Sequence, residues 1–351
     1  MMPTSPTPSP LSFTLANIDA VGPDVVRLTL AGEAGRFRYR EGQFLSLHLA
    51  EGIERSYSMA SPDAGNGEVE LHVHLVPGGR FSRWLRAADR TGETLAVSGP
   101  FGHCTWQTPP DDDTPVVMLA TGTGIAPLKA LLEATLQEGA PQPVTLYWGG
   151  RRAGDLYLAD DFTALAARHP RFRFVPVLAD PGPGWNGRRG FVQDAAAEDL
   201  RDFSDAIVYA CGAPRMVEAA RERLTGQRGL PDARFHADTF LPAAGAATDP
   251  ATGRIALHVR QGDHTRTLRV PASGSLMTAL AAAGLIRPVC GGQGACGECR
   301  VDLAAAQVPP ASPRERRLLD ALDDPLPTHR LACRIALTPR IDGLAISLPT
   351  A

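Results

Sequence analysis

A chain of 351 residues, 44% hydrophobic and 21% charged with a formal net charge of −3, is longer than one ordinary domain and has the composition of a soluble globular protein. So small a net charge gives no electrostatic ground for binding nucleic acid or an anionic membrane. No apolar run reaches the roughly 20 residues that a membrane-inserted helix needs. Six cysteines are too few for a disulfide scaffold. The N-terminus, MMPTSPTPSP, lacks the basic-then-apolar order of a secretory signal. The expected setting is therefore the cytoplasm, where thiols stay reduced and clustered cysteines point to metal or catalysis.

In chain order, residues 1–10 read as a disordered tail. Residues 11–110 carry short alternating segments, among them VRLTLAG, QFLSLHLA and VELHVHLV, separated by Gly, Pro and Asp turns. That spacing predicts an antiparallel β-barrel or sandwich. Over 111–240 the pattern changes to near-continuous apolar runs (PVVMLA, PVTLYWG, FRFVPVLA, DAIVYACG). Between them lie helical candidates APLKALLEATL, DDFTALAARH and PRMVEAARERL. Buried strands alternating with helices predict a doubly wound parallel α/β domain.

Residues 241–252, small and without periodicity, read as a linker. Residues 253–351 restart as β. IALHVR and HTRTLRV flank a hairpin turn at Gln261, Gly262 and Asp263. A helix follows with Ser275 as N-cap and Gly284 at its C-terminal end, Leu276 and Leu280 sharing one face. Another starts at Ser312, with Pro313 in its first position and Glu315 completing a capping box.

The cysteines of the last region, Cys290, Cys296, Cys299 and Cys333, are spaced C-x5-C-x2-C and then x33-C. Structural zinc usually takes two close pairs of ligands, and here there is only one. Three thiolates from one loop and a fourth from a later strand make the layout of a [2Fe–2S] cluster. Gly291, Gly292 and Gly294 let that loop wrap closely around it.

The stretch CGGQGACGEC with the later RLACR makes residues 253–351 resemble a plant-type or adrenodoxin-type ferredoxin, a β-grasp domain. The loop has five residues between its first two cysteines where plant ferredoxins have four, as in bacterial variants. Upstream, RSYSMASP (from Arg55), GRFSRWL (79–85) and LATGTGIAP (119–127) follow one another as in the ferredoxin–NADP reductase superfamily. The whole order resembles that of bacterial oxygenase reductases: a flavin barrel, an α/β nucleotide domain and a C-terminal ferredoxin.

The resemblance implies roles residue by residue. Arg55 is a cation for the flavin phosphate, Tyr57 a ring against the isoalloxazine and Ser58 a hydrogen-bond partner near flavin N5. Ser56, Val73, His74 and Phe81 are implied flavin-site positions, and Gly79 and Ser82 form the pyrophosphate turn, which favours FAD over FMN. His72 and His74 share one strand face and read as polar lining. Gly122, Thr123, Gly124 and Pro127 form the nucleotide loop. Arg151 or Arg152 suits the 2′-phosphate of NADPH and Asp155 the free ribose of NADH, so the donor stays open.

Cys211, Gly212 and Pro214 match the C-G-x-P motif and place Cys211 at the nicotinamide as a positioning group. Cys104 is expected to be structural. Phe240 is placed to share in covering the flavin. The implied activity is one-electron delivery from NAD(P)H, through FAD and a [2Fe–2S] cluster, to a terminal oxygenase or other redox acceptor protein. The competing functions are a reductase acting directly on a small substrate and an iron–sulfur redox sensor. Neither an acid/base pair for the first nor an output element for the second stands out.

Overall fold

The computed structural model describes residues 10–49, 53–240, 253–262, 264–272, 274–286, 292, 294, 296–303, 307–322 and 324–349. Residues 1–9 of the expected tail, the expected linker 241–252 and Cys290 lie outside them. The chain forms two compact units, residues 10–241 and a C-terminal unit from 242 onward.

The first unit begins with β1 (Leu11–Gly22), β2 (Val25–Ala31), β3 (Phe44–Leu49), β4 (Ile53–Ser58), β5 (Glu68–His74), helix α1 (Arg80–Arg86) and β6 (Thr94–Phe101). The six strands pair antiparallel in the order β4-β3-β6-β1-β2-β5. A bridge between Met59 and Leu71 closes β4 back onto β5. Alternation builds this barrel. In β2, Val26, Leu28 and Leu30 are buried while Val25, Arg27 and Thr29 are half-exposed, as expected of a strand with one face in a core.

The same unit continues through β7 (Val116–Thr121), α2 (Ile125–Gln137), β8 (Val144–Gly150), α3 (Ala159–Arg168), β9 (Phe172–Leu178), β10 (Arg188–Arg189), α4 (Val192–Asp199), β11 (Ile207–Gly212), α5 (Pro214–Gln227) and β12 (Phe235–Thr239). The sheet is parallel in the order β10-β9-β8-β7-β11-β12. Its strands read as continuous apolar runs because both faces are covered. Val116, Met118 and Ala120 of β7 enter one core while Val117 and Leu119 enter the other. Three elements lie outside the sequence expectation: β10, β12 (FHADT) and α4 (VQDAAAED), whose short or polar sequences carry little local signal.

The C-terminal unit comprises β13 (Arg254–Gln261), β14 (His264–Pro271), α6 (Leu276–Ala282), β15 (Arg300–Asp302), α7 (Pro313–Asp320), β16 (His329–Leu331) and β17 (Leu344–Ser347), with sheet order β14-β13-β17-β15-β16. Leu257, Val301, Leu344, Leu276 and Leu280 pack in one core. The Ser275 hydroxyl accepts the Thr278 N–H at 3.3 Å, and Gly284 takes φ 71° just past α6.

The capping box expected on α7 forms by half. The Ser312 hydroxyl accepts the Glu315 N–H at 3.2 Å, but the Glu315 carboxylate accepts from Arg330 Nε and from the Leu331 N–H, each at 2.8 Å. A buried guanidinium left unpaired would cost far more than an N-cap amide open to water. Among the described residues no helix is long and apolar enough to cross a membrane.

Candidate functional site

The expected flavin residues converge where β4 meets α1. Arg55 and Tyr57 point to one side of β4, both half-exposed, with Ser56 and Ser58 on the other. Ser56 Oγ lies 2.9 Å from Ser46 Oγ across the β3–β4 pair, and Ser58 is buried. The Tyr57 ring centroid lies 5.3 Å from that of Phe81, which in turn lies 5.4 Å from Trp84, so α1 is seated against the motif strand. Gly79 is the N-cap of α1, and Ser82 is buried in its first turn. A planar cation, a half-exposed aromatic ring and a helix start near one another suit a flavin with its phosphates.

On β5, Val73 is buried and His74 exposed. The expectation that His72 and His74 line the same surface is corrected. His72 is only 4% exposed, because Tyr157 of the nucleotide domain covers it and its Nδ1 lies 3.0 Å from Tyr157 Oη.

The second half of the site lies at the C-terminal ends of β7 and β11, where the strand order reverses. Open α/β sheets bind ligands at this switch point. Gly122, Thr123 and Gly124 form a single 3-10 turn between β7 and α2, and Pro127 lies in the first turn of α2. Pro214 opens α5 in its first position, where its missing N–H is harmless.

The two loops are locked together. The Ala213 N–H donates to Thr121 Oγ1 at 3.1 Å, and a Cβ at Gly124 would run into the Cys211 carbonyl. Glycine is therefore required at Gly124 by close approach of β11, whatever its φ. Phe240 donates its N–H to the Gly212 carbonyl at 2.8 Å, which puts it beside the C-G-x-P segment.

Cys211 is fully buried, and its Sγ lies 3.9 Å from Cys104 Sγ, a pairing across 107 residues with no local signal. The Cys104 thiol and then burial push the Cys211 thiol well above its ordinary range, so it stays protonated. The segment of Cys104 is pinned to β11 at two further points. Trp106 stacks on Tyr209 at 5.8 Å, and the Gln107 N–H donates to Tyr209 Oη at 2.7 Å.

Beyond β8, Arg151 and Arg152 are exposed, but their backbone N–H groups are engaged. Both donate to Asp155 Oδ2, at 2.7 and 2.9 Å. The Arg151 guanidinium lies 3.4 Å from Asp180, a residue that sequence reading did not single out.

In the C-terminal unit, Cys299 is 3% and Cys333 8% exposed, while Cys296 is half-buried. The Cys299 carbonyl accepts the Ala332 N–H at 2.9 Å, which ties the backbone at Cys299 to the residue before Cys333. Among the described residues, however, no three metal-ligating side chains are grouped closely enough to hold a metal ion. Gly292 (φ 87°) and Gly294 (φ 65°) wrap the loop. A Cβ at Gly292 would stand 3.9 Å from Cys333 Cβ, and one at Gly294 would collide with the Arg334 guanidinium. Buried thiols at Cys299 and Cys333, a half-buried one at Cys296 and positive φ at Gly292 and Gly294 fit an iron–sulfur cluster, whose soft ligands are thiolates. Cys290, the first expected ligand, lies outside the described residues.

Comparison with known proteins follows the same division. Family models match residues 12–106 as an oxidoreductase FAD-binding domain, 118–222 as an oxidoreductase NAD-binding domain and 259–338 as a 2Fe-2S iron–sulfur cluster binding domain. The chain is 36% identical over 230 residues to the CDP-6-deoxy-L-threo-D-glycero-4-hexulose-3-dehydrase reductase of Yersinia pseudotuberculosis, covering 65% of this chain and 68% of that one. It is 36% identical over 221 residues to the reductase component 1 of terephthalate 1,2-dioxygenase from Comamonas, covering 62% and 64%. The matched segments thus span about two thirds of these relatives. An intact type IV self-sufficient cytochrome P450 monooxygenase shares the fold over 99% of this chain and 43% of its own, with TM-score 0.65 at 20% identity.

Proposed function

Since this chain belongs to the ferredoxin–NADP reductase superfamily, as a reductase with a C-terminal [2Fe–2S] domain, we propose that it carries electrons from NADH to a terminal oxygenase. Its cofactors are FAD, NAD(P)H and a [2Fe–2S] cluster. When bound, FAD takes electrons in pairs from the nicotinamide and gives them up singly, and the cluster hands them to the acceptor. The protein supplies binding and orientation. Arg55 holds the flavin phosphate, with Gly79 and Ser82 at the pyrophosphate. Tyr57 is the ring set against the isoalloxazine, and Ser58, buried at the end of β4, is the hydrogen-bond partner near N5, with Ser56, Val73, His74 and Phe81 as the surrounding positions. Gly122, Thr123, Gly124 and Pro127 cradle the dinucleotide, and Cys211, Gly212 and Pro214 position the nicotinamide. Cys290, Cys296, Cys299 and Cys333 ligate the cluster.

The observation that carries this reading is the locked switch point of β7 and β11 in one unit with the β4–α1 surface. That arrangement offers adjoining seats for donor and flavin. The oxygenase as acceptor is supported by the Comamonas relative, whose name assigns it to a dioxygenase. NADH-driven reduction of cytochrome c tests the transfer function. Rapid turnover is expected, and its absence in flavin- and iron-replete protein would favour a sensor.

The choice of NADH rests on the turn after β8. A 2′-phosphate there would face the carboxylates of Asp155 and Asp180; Asp155 occupies the N–H groups of Arg151 and Arg152, and Asp180 lies against the Arg151 guanidinium that would otherwise meet the phosphate. The kcat/KM for NADH is expected to exceed that for NADPH by about tenfold or more, the equivalent of about 1.4 kcal/mol. Asp155→Ser should narrow the gap by freeing those two donors. Equal use of both donors by the unsubstituted protein would contradict this account of the turn.

A further inference from the structure

Lys129 is the single lysine in a sequence whose lysines and arginines total 35. It lies on α2, just past the nucleotide loop, and its ammonium has three acceptors. They are the Ala60 carbonyl at 2.9 Å, Glu133 Oε2 at 3.0 Å and Glu70 Oε1 at 3.2 Å. Two of the three belong to the barrel. Ala60 follows directly on the flavin motif strand, and its own N–H donates to the Glu70 carbonyl at 2.8 Å.

From Glu70 the connections run on. Its Oε1 is 2.9 Å from His72 Nε2, and His72 Nδ1 is 3.0 Å from Tyr157 Oη. The Tyr157 ring packs edge-on against Trp148 at 5.1 Å, and Trp148 Nε1 donates to the Gly122 carbonyl at 3.1 Å. The chain of contacts therefore leaves the nucleotide loop through α2, crosses β5 of the barrel and returns to the nucleotide loop through β8. Burial holds His72 below its ordinary range, so it stays neutral, donating from Nε2 to Glu70 and accepting from Tyr157 at Nδ1.

We propose that Lys129, with Glu70, His72 and Tyr157, is a positioning device that clamps the nucleotide loop to the flavin motif strand and so sets the approach of nicotinamide to flavin. The proposal rests on the reading of this site as the nicotinamide–flavin junction. Two observations separate it from a merely structural ion pair. First, α2 is already anchored to its own sheet by Ile125, Leu128, Leu131 and Leu132, all fully buried. Second, the acceptors Ala60 and Glu70 belong to the barrel and not to the sheet that α2 packs against, so the contacts join two domains where an ion pair within the helix would not. A compact ammonium with three donors meets three acceptors in one small space, which a planar guanidinium would not. Transfer between two bound groups is steep in their placement: a displacement of about 1 Å costs about 100-fold in rate.

The test uses the full-length holoprotein with Lys129→Met and, separately, Tyr157→Phe, which deletes one hydroxyl. Amide hydrogen exchange is measured over residues 57–62 and 122–130, and anaerobic stopped flow gives the limiting rate of flavin reduction and the NADH Kd. Exchange is expected to quicken in both segments. The limiting rate should fall about tenfold or more in Lys129→Met and by a smaller factor in Tyr157→Phe, with flavin content and Kd changed by less than about twofold.

An unchanged limiting rate in the folded variants, with only a lower melting temperature, would overturn the clamp. So would faster exchange confined to α2. Should Lys129→Met fail to fold, Tyr157→Phe decides by the same criteria. Failure of the unsubstituted protein's flavin to be reduced by NADH would instead overturn the reading of the site, and this proposal with it.

Discussion

Replacing Cys299 by serine is expected to abolish electron delivery to cytochrome c while leaving NADH-driven reduction of ferricyanide from the flavin in place. Cys299 is 3% exposed, and its carbonyl is tied to Ala332, next to Cys333. The sulfur therefore cannot be replaced from solvent. A serine hydroxyl is a harder and less acidic donor than a thiol, poorly matched to iron and sulfide. Changes in the outer shell of metal sites alone cost about 10–100-fold, so loss of a ligand should cost at least about 100-fold in cytochrome c reduction. Iron and sulfide should fall together. Flavin content should not, because residues 10–241 form a compact unit with their own cores. Cys104→Ala, in the other unit, should keep its iron. A Cys299→Ser protein with full iron and full cytochrome c turnover would remove the assignment of the cluster ligands.

Gly124→Ala is expected to slow flavin reduction by NADH by about 100-fold while chemical reduction by dithionite proceeds as before. The added methyl would meet the carbonyl group of Cys211 and the Cα of Gly212, all backbone atoms. Those atoms cannot yield as a flexible side chain would, because β11 is paired with β7 through Ala120–Cys211 and Leu119–Ala210. Overpacking of this kind costs about 1–3 kcal/mol, which the fold can absorb. The placement of the nicotinamide cannot absorb the parting of the two loops, since about 1 Å is worth about 100-fold. Gly122→Ala is the internal control. That residue has φ 53° but nothing within 4 Å of an added Cβ, so only backbone strain of about 1–2 kcal/mol is expected and a much smaller loss of rate. Similar rates for the two variants would contradict the idea that contact between β7 and β11 sets the loop.

What could be read from the sequence was whatever a local pattern records. Alternation in VRLTLAG became β2, and the buried runs PVVMLA and DAIVYACG became the adjacent strands β7 and β11. The turn at Gly122–Gly124 follows its strand because a nucleotide loop carries its glycines in sequence. The contacts that join the two halves of the site left no local trace. Lys129 reaches Ala60 across 69 residues and Tyr157 reaches His72 across 85. Strand periodicity placed His72 and His74 on the same face, and only the arrival of a second domain buries one of them. Glu315 fitted a capping box by spacing, yet the competing partner, Arg330, enters from a strand 15 residues away. β12 was missed because FHADT alternates weakly and gains its place by pairing with β11.

The central claim is one electron path, from nicotinamide through flavin to an iron–sulfur cluster held by CGGQGACGEC and Cys333. Anaerobic titration of the as-isolated protein with NADH, recording flavin and iron–sulfur absorption together, tests it most directly. The account predicts that both bands bleach, the flavin and the cluster being reduced by the same donor. A flavin that bleaches in a protein showing no iron–sulfur absorption, despite full iron and sulfide supply during expression, would contradict it.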